Sequence, residues 1–225
     1  MSHTFPTTRT APLLLNCTLK LCTAVLCACL SGCQLVGAIA EKAQGPEKIA
    51  ALYVPRKVPT LILSEHDAAA NVDDLSAEDI GRRVADFWVP LKLAPMVELS
   101  KLDELRQEHP AAFYGMSTVS IGKALGAEQV LYIDVRDCHD ESAGGSDTIR
   151  ATASARVKMV DVATGQTLWP PDAANGYAVD ADTQFQARGE GVSESTQMEQ
   201  VRQMLANKII KLFYEHVADD DGTPQ

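Results

Sequence analysis

From Thr148 to Val162 the chain alternates between apolar and polar residues. Ile149, Ala151, Ala153, Ala155, Val157 and Met159, with Asp161 in part, fall on one side. Thr152, Ser154, Arg156 and Lys158 fall on the other. Successive side chains of a strand point to opposite faces. The run therefore predicts a long antiparallel strand with one face on a core and one face wet. Asp161-Val162-Ala163-Thr164-Gly165-Gln166 predicts a tight turn, with Gly165 free to take a positive φ, into a short strand Thr167-Leu168-Trp169 that Pro170-Pro171 ends. Upstream, Gln129–Val135 is mostly apolar, as a central strand should be. A helix over Ser117–Leu125, with Gly126 as its C-cap, leads into it.

The remaining elements follow from the same signals. Thr60–Leu63, bounded by Pro59 and Ser64, predicts a buried first strand. Ser76 is expected to cap a helix carrying Ile80, Val84, Phe87 and Trp88, which Pro90 ends. Pro95–Leu99 predicts a second short strand. Ser100 then caps a helix over Lys101–Glu108, and Pro110 stops it. Asp137–Asp147, with Gly144-Gly145, reads as a hairpin loop, and Gly176–Asp180 as one further strand. Ser195 or Thr196 is expected to cap a final helix through Val217, with Val201, Leu205, Ile209, Leu212 and Phe213 as its apolar stripe. The fold class is α/β in the α+β sense: a single mixed, largely antiparallel sheet packed against helices.

The N-terminus carries a different kind of signal. Residues 1–20 hold Arg9 and Lys20 and no acid, and Leu21–Leu30 is an apolar run too short to span a bilayer. It ends in Leu30-Ser31-Gly32-Cys33. This arrangement resembles the bacterial lipoprotein signal. The resemblance implies cleavage between Gly32 and Cys33, a diacylglyceryl thioether (palmitate-type acylation) on Cys33, and a membrane-anchored chain facing the periplasm. More than one acyl chain exceeds the limit of marginal membrane binding. Gln34, rather than Asp, follows the cysteine, which favours the outer over the inner membrane. The expected organisation is a signal peptide over 1–32, a lipidated cysteine and tether over 33–57, a globular domain over 58–218 and a disordered acidic tail over 219–225.

Five of the six cysteines lie at or before Cys33, so Cys138 is the one thiol beyond it and no internal disulfide framework can form. The chain carries a formal charge of −10; without residues 1–32 it stands at about −12, because that segment contains Arg9 and Lys20 and no acid. So acidic a surface argues against nucleic acid and against adhesion to anionic headgroups.

Helix, Leu125-Gly126-Ala127, buried strand, loop, long alternating strand and then Val160-Asp161-Val162-Ala163-Thr164-Gly165-Gln166-Thr167-Leu168-Trp169 form a recognisable order. It resembles the domain shared by the TolB N-terminal domain, the curli-secretion lipoprotein and the penicillin-binding-protein activator lipoproteins. Residues 125–169 carry the likeness. It implies a sheet packed against helices with the Thr-Gly turn between two strands. Amphipathic segments of the kind that build the curli pore are missing. A fold likeness says little of function.

No phosphate loop, dinucleotide fingerprint, zincin pair or nucleophile elbow occurs in the sequence. Asp137-Cys138-His139-Asp140-Glu141 is the densest reactive cluster, but neighbours on a strand point apart and chelate poorly. His66 and Asp67 begin a loop after the first strand. His109 and His216 sit at helix ends, where a cation is favoured. Phe87-Trp88-Val89-Pro90 and Phe113-Tyr114 are either core or anchors for a partner. The leading expectation is a non-enzymatic envelope lipoprotein, with neither metal nor cofactor, that binds another envelope protein. One alternative is a self-assembling accessory of a secretion or assembly system, hence a homo-oligomer. The other is a metal-binding or hydrolytic lipoprotein using Cys138, His139 and Asp140.

Overall fold

The structure is a computed structural model that describes residues 47–142, 147–189 and 191–218. The leader, Gly32, Cys33, the first part of the expected tether, Gly144-Gly145 and the acidic tail lie outside the described residues. In chain order the elements are β1 (Lys48–Ile49), β2 (Thr60–Asn71), α1 (Asp74–Trp88), α2 (Leu99–Glu108), α3 (Pro110–Phe113), α4 (Thr118–Ala124), β3 (Gln129–Ser142), β4 (Thr148–Asp161), β5 (Thr167–Trp169), β6 (Tyr177–Asp182), β7 (Gln186–Ala187), α5 (Glu194–Lys211) and β8 (His216–Val217).

The main sheet runs β2-β3-β4, and β5, β6 and β7 line up along the far side of β4. Only β2 and β3 are parallel; the other pairs are antiparallel. This is the mixed, largely antiparallel sheet expected. Helices α1 and α5 cover one face: Ile80, Val84, Trp88, Val201, Leu205 and Ile209 share a core with Ile62, Leu131, Ile133 and the alanines of β4. Ala151, Ala153 and Ala155 are small enough for α5 to lie close over β4. Among the described residues the opposite face is covered only at the Thr60 end, where Leu102, Phe113 and Ile121 of α2–α4 pack on Leu61, Leu63 and Val130.

That half-cover explains the two strand patterns. Leu61, Ile62 and Leu63 are buried on both faces and so form an unbroken apolar run. β4 has helices on one face alone, and its buried and more open residues alternate from Thr148 to Met159.

Several boundaries differ from expectation, each for a local reason. β2 continues past Leu63 to Asn71, pairing along β3 where no second layer requires apolar residues. His66 therefore lies within the strand, not in a loop. β3 likewise continues through Asp137–Ser142 as the partner of Ile149–Ser154, so the first part of the expected loop is strand. Pro95–Leu99 is no strand: Met96 makes one bridge to Thr60, and Leu99 already begins α2. Ser100 is inside that helix; Glu98 holds the cap position without a side-chain bond. The helix does end at Glu108, before Pro110 as expected, and Pro110 then opens the separate single turn α3, where its missing N–H costs nothing. The cap of α1 is Asp73, which accepts from the Ser76 N–H, not Ser76. The cap of α5 is Ser193, in a reciprocal box with Thr196, rather than Ser195 or Thr196. That helix stops at Lys211, so His216 sits in β8 and not at a helix end.

Part of the expected tether is docked. Lys48 and Ile49 pair with Val217 and His216. The N–H groups of Leu52 and Tyr53 both donate to the Leu212 carbonyl. Arg56 Nη2 donates to Asp161 Oδ2 at 2.8 Å, and Lys57 Nζ donates to the carbonyls of Lys92 and Leu93.

Asp161 also orders the Thr-Gly turn, accepting from the Thr164 N–H at 2.8 Å and the Thr164 hydroxyl at 2.9 Å. These bonds, the backbone one first and with Arg56 beside them, hold its carboxyl below the usual carboxylate range. The Ser76 N–H does the same for Asp73. A carboxyl lowered by folding stabilises above its unfolded pKa of about 3.9 and loses that contribution as pH falls through the folded value. Acid unfolding below about pH 4 should therefore become shallower in Asp161→Asn and Asp73→Asn, followed by circular dichroism against pH.

Candidate functional site

The outer edge of β2 is where side chains from three elements converge. An edge strand offers unpaired N–H and C=O groups that must be covered or used. At the start of β2 the Thr60 N–H donates to the Pro95 carbonyl, and the Thr60 carbonyl accepts from the Val97 N–H. Further along, the Ser64 carbonyl accepts from Arg106 Nη2 at 3.3 Å. Arg106 comes from the last turn of α2 and also donates through Nη1 to Glu78 Oε1 of α1 at 2.8 Å. Arg82 of α1 reaches back to Asp103 of α2 at 3.1 Å. Two ion pairs thus bridge α1 and α2 across the strand edge.

Beyond this bridge the edge opens into a pocket of about 210 Å³. Its walls include Ser64, Glu65, His66, Glu78, Arg106 and Phe113. The Arg106 guanidinium carbon lies over the Phe113 ring, 5.1 Å from its centre, within cation–π range. The Ser64 hydroxyl is buried and has no hydrogen-bond partner among the described residues. Met116 and Tyr114 also line the pocket, and Tyr114 is 80% exposed.

Burial pushes the Glu65 carboxyl above its usual range, although nearby Arg106 and a hydrogen bond with Tyr132 pull the other way. The Tyr132 phenol is in turn held far above its ordinary value, chiefly by burial and then by the Glu65 charge. A raised carboxyl has the opposite linkage to Asp161. Its proton is bound more tightly in the fold, so its contribution is favourable below the unfolded pKa and is lost as pH rises through the folded one. Glu65→Gln should therefore raise stability at neutral pH and shrink it little at pH 4, measured as urea midpoints at both values.

The pocket is smaller than the roughly 300–1,000 Å³ of sites that enclose a drug-sized ligand. It fits one or two side chains of a partner. An arginine over an aromatic ring beside an exposed tyrosine supplies residue types that are enriched among the anchors of protein interfaces.

The sequence cluster at Asp137–Glu141 is split by the sheet. Cys138 is buried in the core among the α1 and α5 side chains, and burial pushes its thiol up, away from the thiolate. His139 is on the opposite face, its Nδ1 2.8 Å from Asp137 Oδ1. Cys138 and His139 cannot act on one atom from there. Among the described residues no three metal-ligating side chains gather. The aromatic candidates divide. Trp88 and Phe113 are core, whereas Tyr114 is open to solvent and Val89 is exposed beyond the end of α1. Ser64, Glu65, Glu78 and Arg106 carried no signal in the sequence, because folding alone brings residues so far apart to one place.

Among the described residues no helix is long and apolar enough to cross a membrane. Neither a family model nor a curated protein matches the sequence. Solved structures to which the chain is similar include a bacterial lipoprotein. Lipoprotein GNA1162 from Neisseria meningitidis is 15% identical with a TM-score of 0.46, over 68% of this chain and 97% of that one. A PelC dodecamer from Paraburkholderia phytofirmans is 8% identical with a TM-score of 0.40, over 75% and 96%. The LpoB C-terminal domain from Salmonella enterica is 14% identical with a TM-score of 0.34, over 60% and 87%.

Proposed function

We propose that this chain is an envelope lipoprotein without catalytic chemistry, tethered through lipidated Cys33, that binds another envelope protein at the pocket beside β2. The observation that carries the reading is Leu30-Ser31-Gly32-Cys33 at the end of a short apolar leader. The resemblance to a lipoprotein signal supports anchoring, and Gln34 supports the outer membrane. The pocket supports the partner. It pairs an arginine that lies over the Phe113 ring with the exposed Tyr114, and its size suits side chains.

The test is crosslinking in the native envelope followed by capture of the full-length chain. The wild-type chain should fractionate with membranes, incorporate labelled palmitate and retain one abundant partner. Cys33→Ser should lose the label and leave the membrane fraction. Tyr114→Ala should keep label and location but weaken partner capture, by about 2 kcal/mol or roughly 30-fold if Tyr114 is a central anchor. Label retained in Cys33→Ser would sink the anchor. Recovery of crosslinked multimers of this chain alone would replace the adaptor reading with self-assembly.

A further inference from the structure

The uncovered half of the sheet's outer face is strongly polarised. Tyr132, Asp134 and Arg136 of β3 stand there beside Lys158 and Arg156 of β4, which pair with Tyr132 and Asp134 in register. With the 174–175 segment as a wall they form an open trough of about 380 Å³. It contains three cations and one carboxylate, in a chain whose formal charge is −10. Arg136 is held by Asp134 at 2.9 Å. Lys158 Nζ sits 4.9 Å from the centre of the Tyr132 ring. Arg156 is exposed and has no acidic partner among the described residues.

We propose that this trough binds a short acidic segment of a protein partner in extended conformation. The inference rests on the partner-binding reading above and adds a second contact of defined chemistry. Three observations favour this occupant. First, Arg156 and Lys158 are two residues apart on one strand, which places them about 7 Å apart, the repeat of same-face side chains in an extended chain. Acids at alternate positions of a peptide laid along β4 meet both. Second, the guanidinium fork of Arg156 suits a planar carboxylate. Third, the patch is bounded. Asp180 and Asp182 of β6 pair with Ser154 and Thr152 and so share this face further along, and Asp137 of β3 lies there too. A long polyanion or a flat anionic bilayer meets those carboxylates; a short segment does not.

The experiment uses the full-length chain in mild detergent and a labelled eight-residue peptide of alternating Glu and Thr, read by fluorescence anisotropy at low ionic strength. The expected result is saturable binding that weakens as salt is added. It should fall about tenfold or more in Arg156→Gln/Lys158→Gln, one exposed and one half-buried position on the outer face whose exchange should leave circular dichroism unchanged. Asp134→Asn should tighten binding, because it removes the one carboxylate in the trough; a merely misfolded variant would not. Tyr114→Ala should bind the peptide as the wild type does. The proposal is overturned if the peptide does not bind, if the double variant binds it equally well, or if inorganic phosphate or vesicles of anionic phospholipid displace it at matched charge concentration. Peptide binding without any captured envelope partner would fault the adaptor reading and keep the trough; a partner captured equally by the double variant, with no peptide binding, would do the reverse.

Discussion

Trp88→Ala should destabilise the domain by about 3–5 kcal/mol and lower its melting temperature by something of the order of 10 °C. Trp88 ends α1 and is fully buried. Its ring meets Phe213 at 5.8 Å in an edge-on arrangement, and Phe213 meets Trp169 at the same distance. Trp169 also stacks on Tyr177 at 5.3 Å. One aromatic chain thus joins α1, the end of α5, β5 and β6. The Trp88 indole N–H also donates to the Ala94 carbonyl at 3.1 Å. That bond holds the loop whose next residue, Pro95, accepts from the Thr60 N–H at the edge of β2. Alanine removes the ring, leaves a cavity and orphans the Ala94 carbonyl. Trp88→Phe keeps most of the apolar area and should recover more than half of the loss, which urea unfolding of both variants would show. A loss under about 1 kcal/mol for Trp88→Ala would mean that the site collapses around the gap, contrary to rigid packing.

What could be read in advance divides along the same physical line as the sheet's two faces. β4 announced itself because one face is under α5 and the other is open, so the pattern is a direct print of burial. The start of β2 and the start of β3 were equally plain, being enclosed on both sides. Their far ends were not. From Glu65 in β2 and its partner Asp134 in β3 the outer layer is gone, polar residues are tolerated, and the ladder of backbone hydrogen bonds alone extends the strands. A pattern based on hydrophobicity has nothing to register there. Caps were hard for another reason. Ser193, Ser195 and Thr196 are all competent N-caps, and only the backbone geometry selects Ser193. The candidate pocket was the least legible feature. Tyr114 was identifiable as one of two pairs of aromatics, but its exposure, and the burial of its neighbour Phe113, depend on the turn that Pro110 begins. Arg106 looked like one more charge on a helix. Its role follows only once α2 is laid against the edge of β2.

Gly122→Val should cost about 3 kcal/mol, at the upper end of the usual range for overpacking. Helix propensity alone predicts the reverse, since glycine inside a helix is about 0.5–1 kcal/mol worse than alanine and a few tenths worse than valine. Sterics decide the sign. A Cβ at Gly122 would stand 2.8 Å from Val162 Cγ2 and 2.9 Å from Val130 Cγ2. Both are stiff, β-branched side chains of the core between α4 and the sheet, with one χ angle each and no free end to swing aside. Valine would add two further methyl groups into the same contact. α4 would have to lift from β3, and it is only two turns long, held by Ser117 at one end and Gly126 at the other. Gly122→Ala should show a smaller loss of about 1 kcal/mol, the clash just outweighing the gain in propensity. The cause can be isolated. Val162→Ala alone removes buried methyl groups and should destabilise, but combined with Gly122→Ala it makes room for the new Cβ. The double variant should therefore be more stable than the sum of the two single losses by at least about 0.5 kcal/mol. Strict additivity in urea unfolding would rule out close packing at Val162 as the reason for glycine at this position.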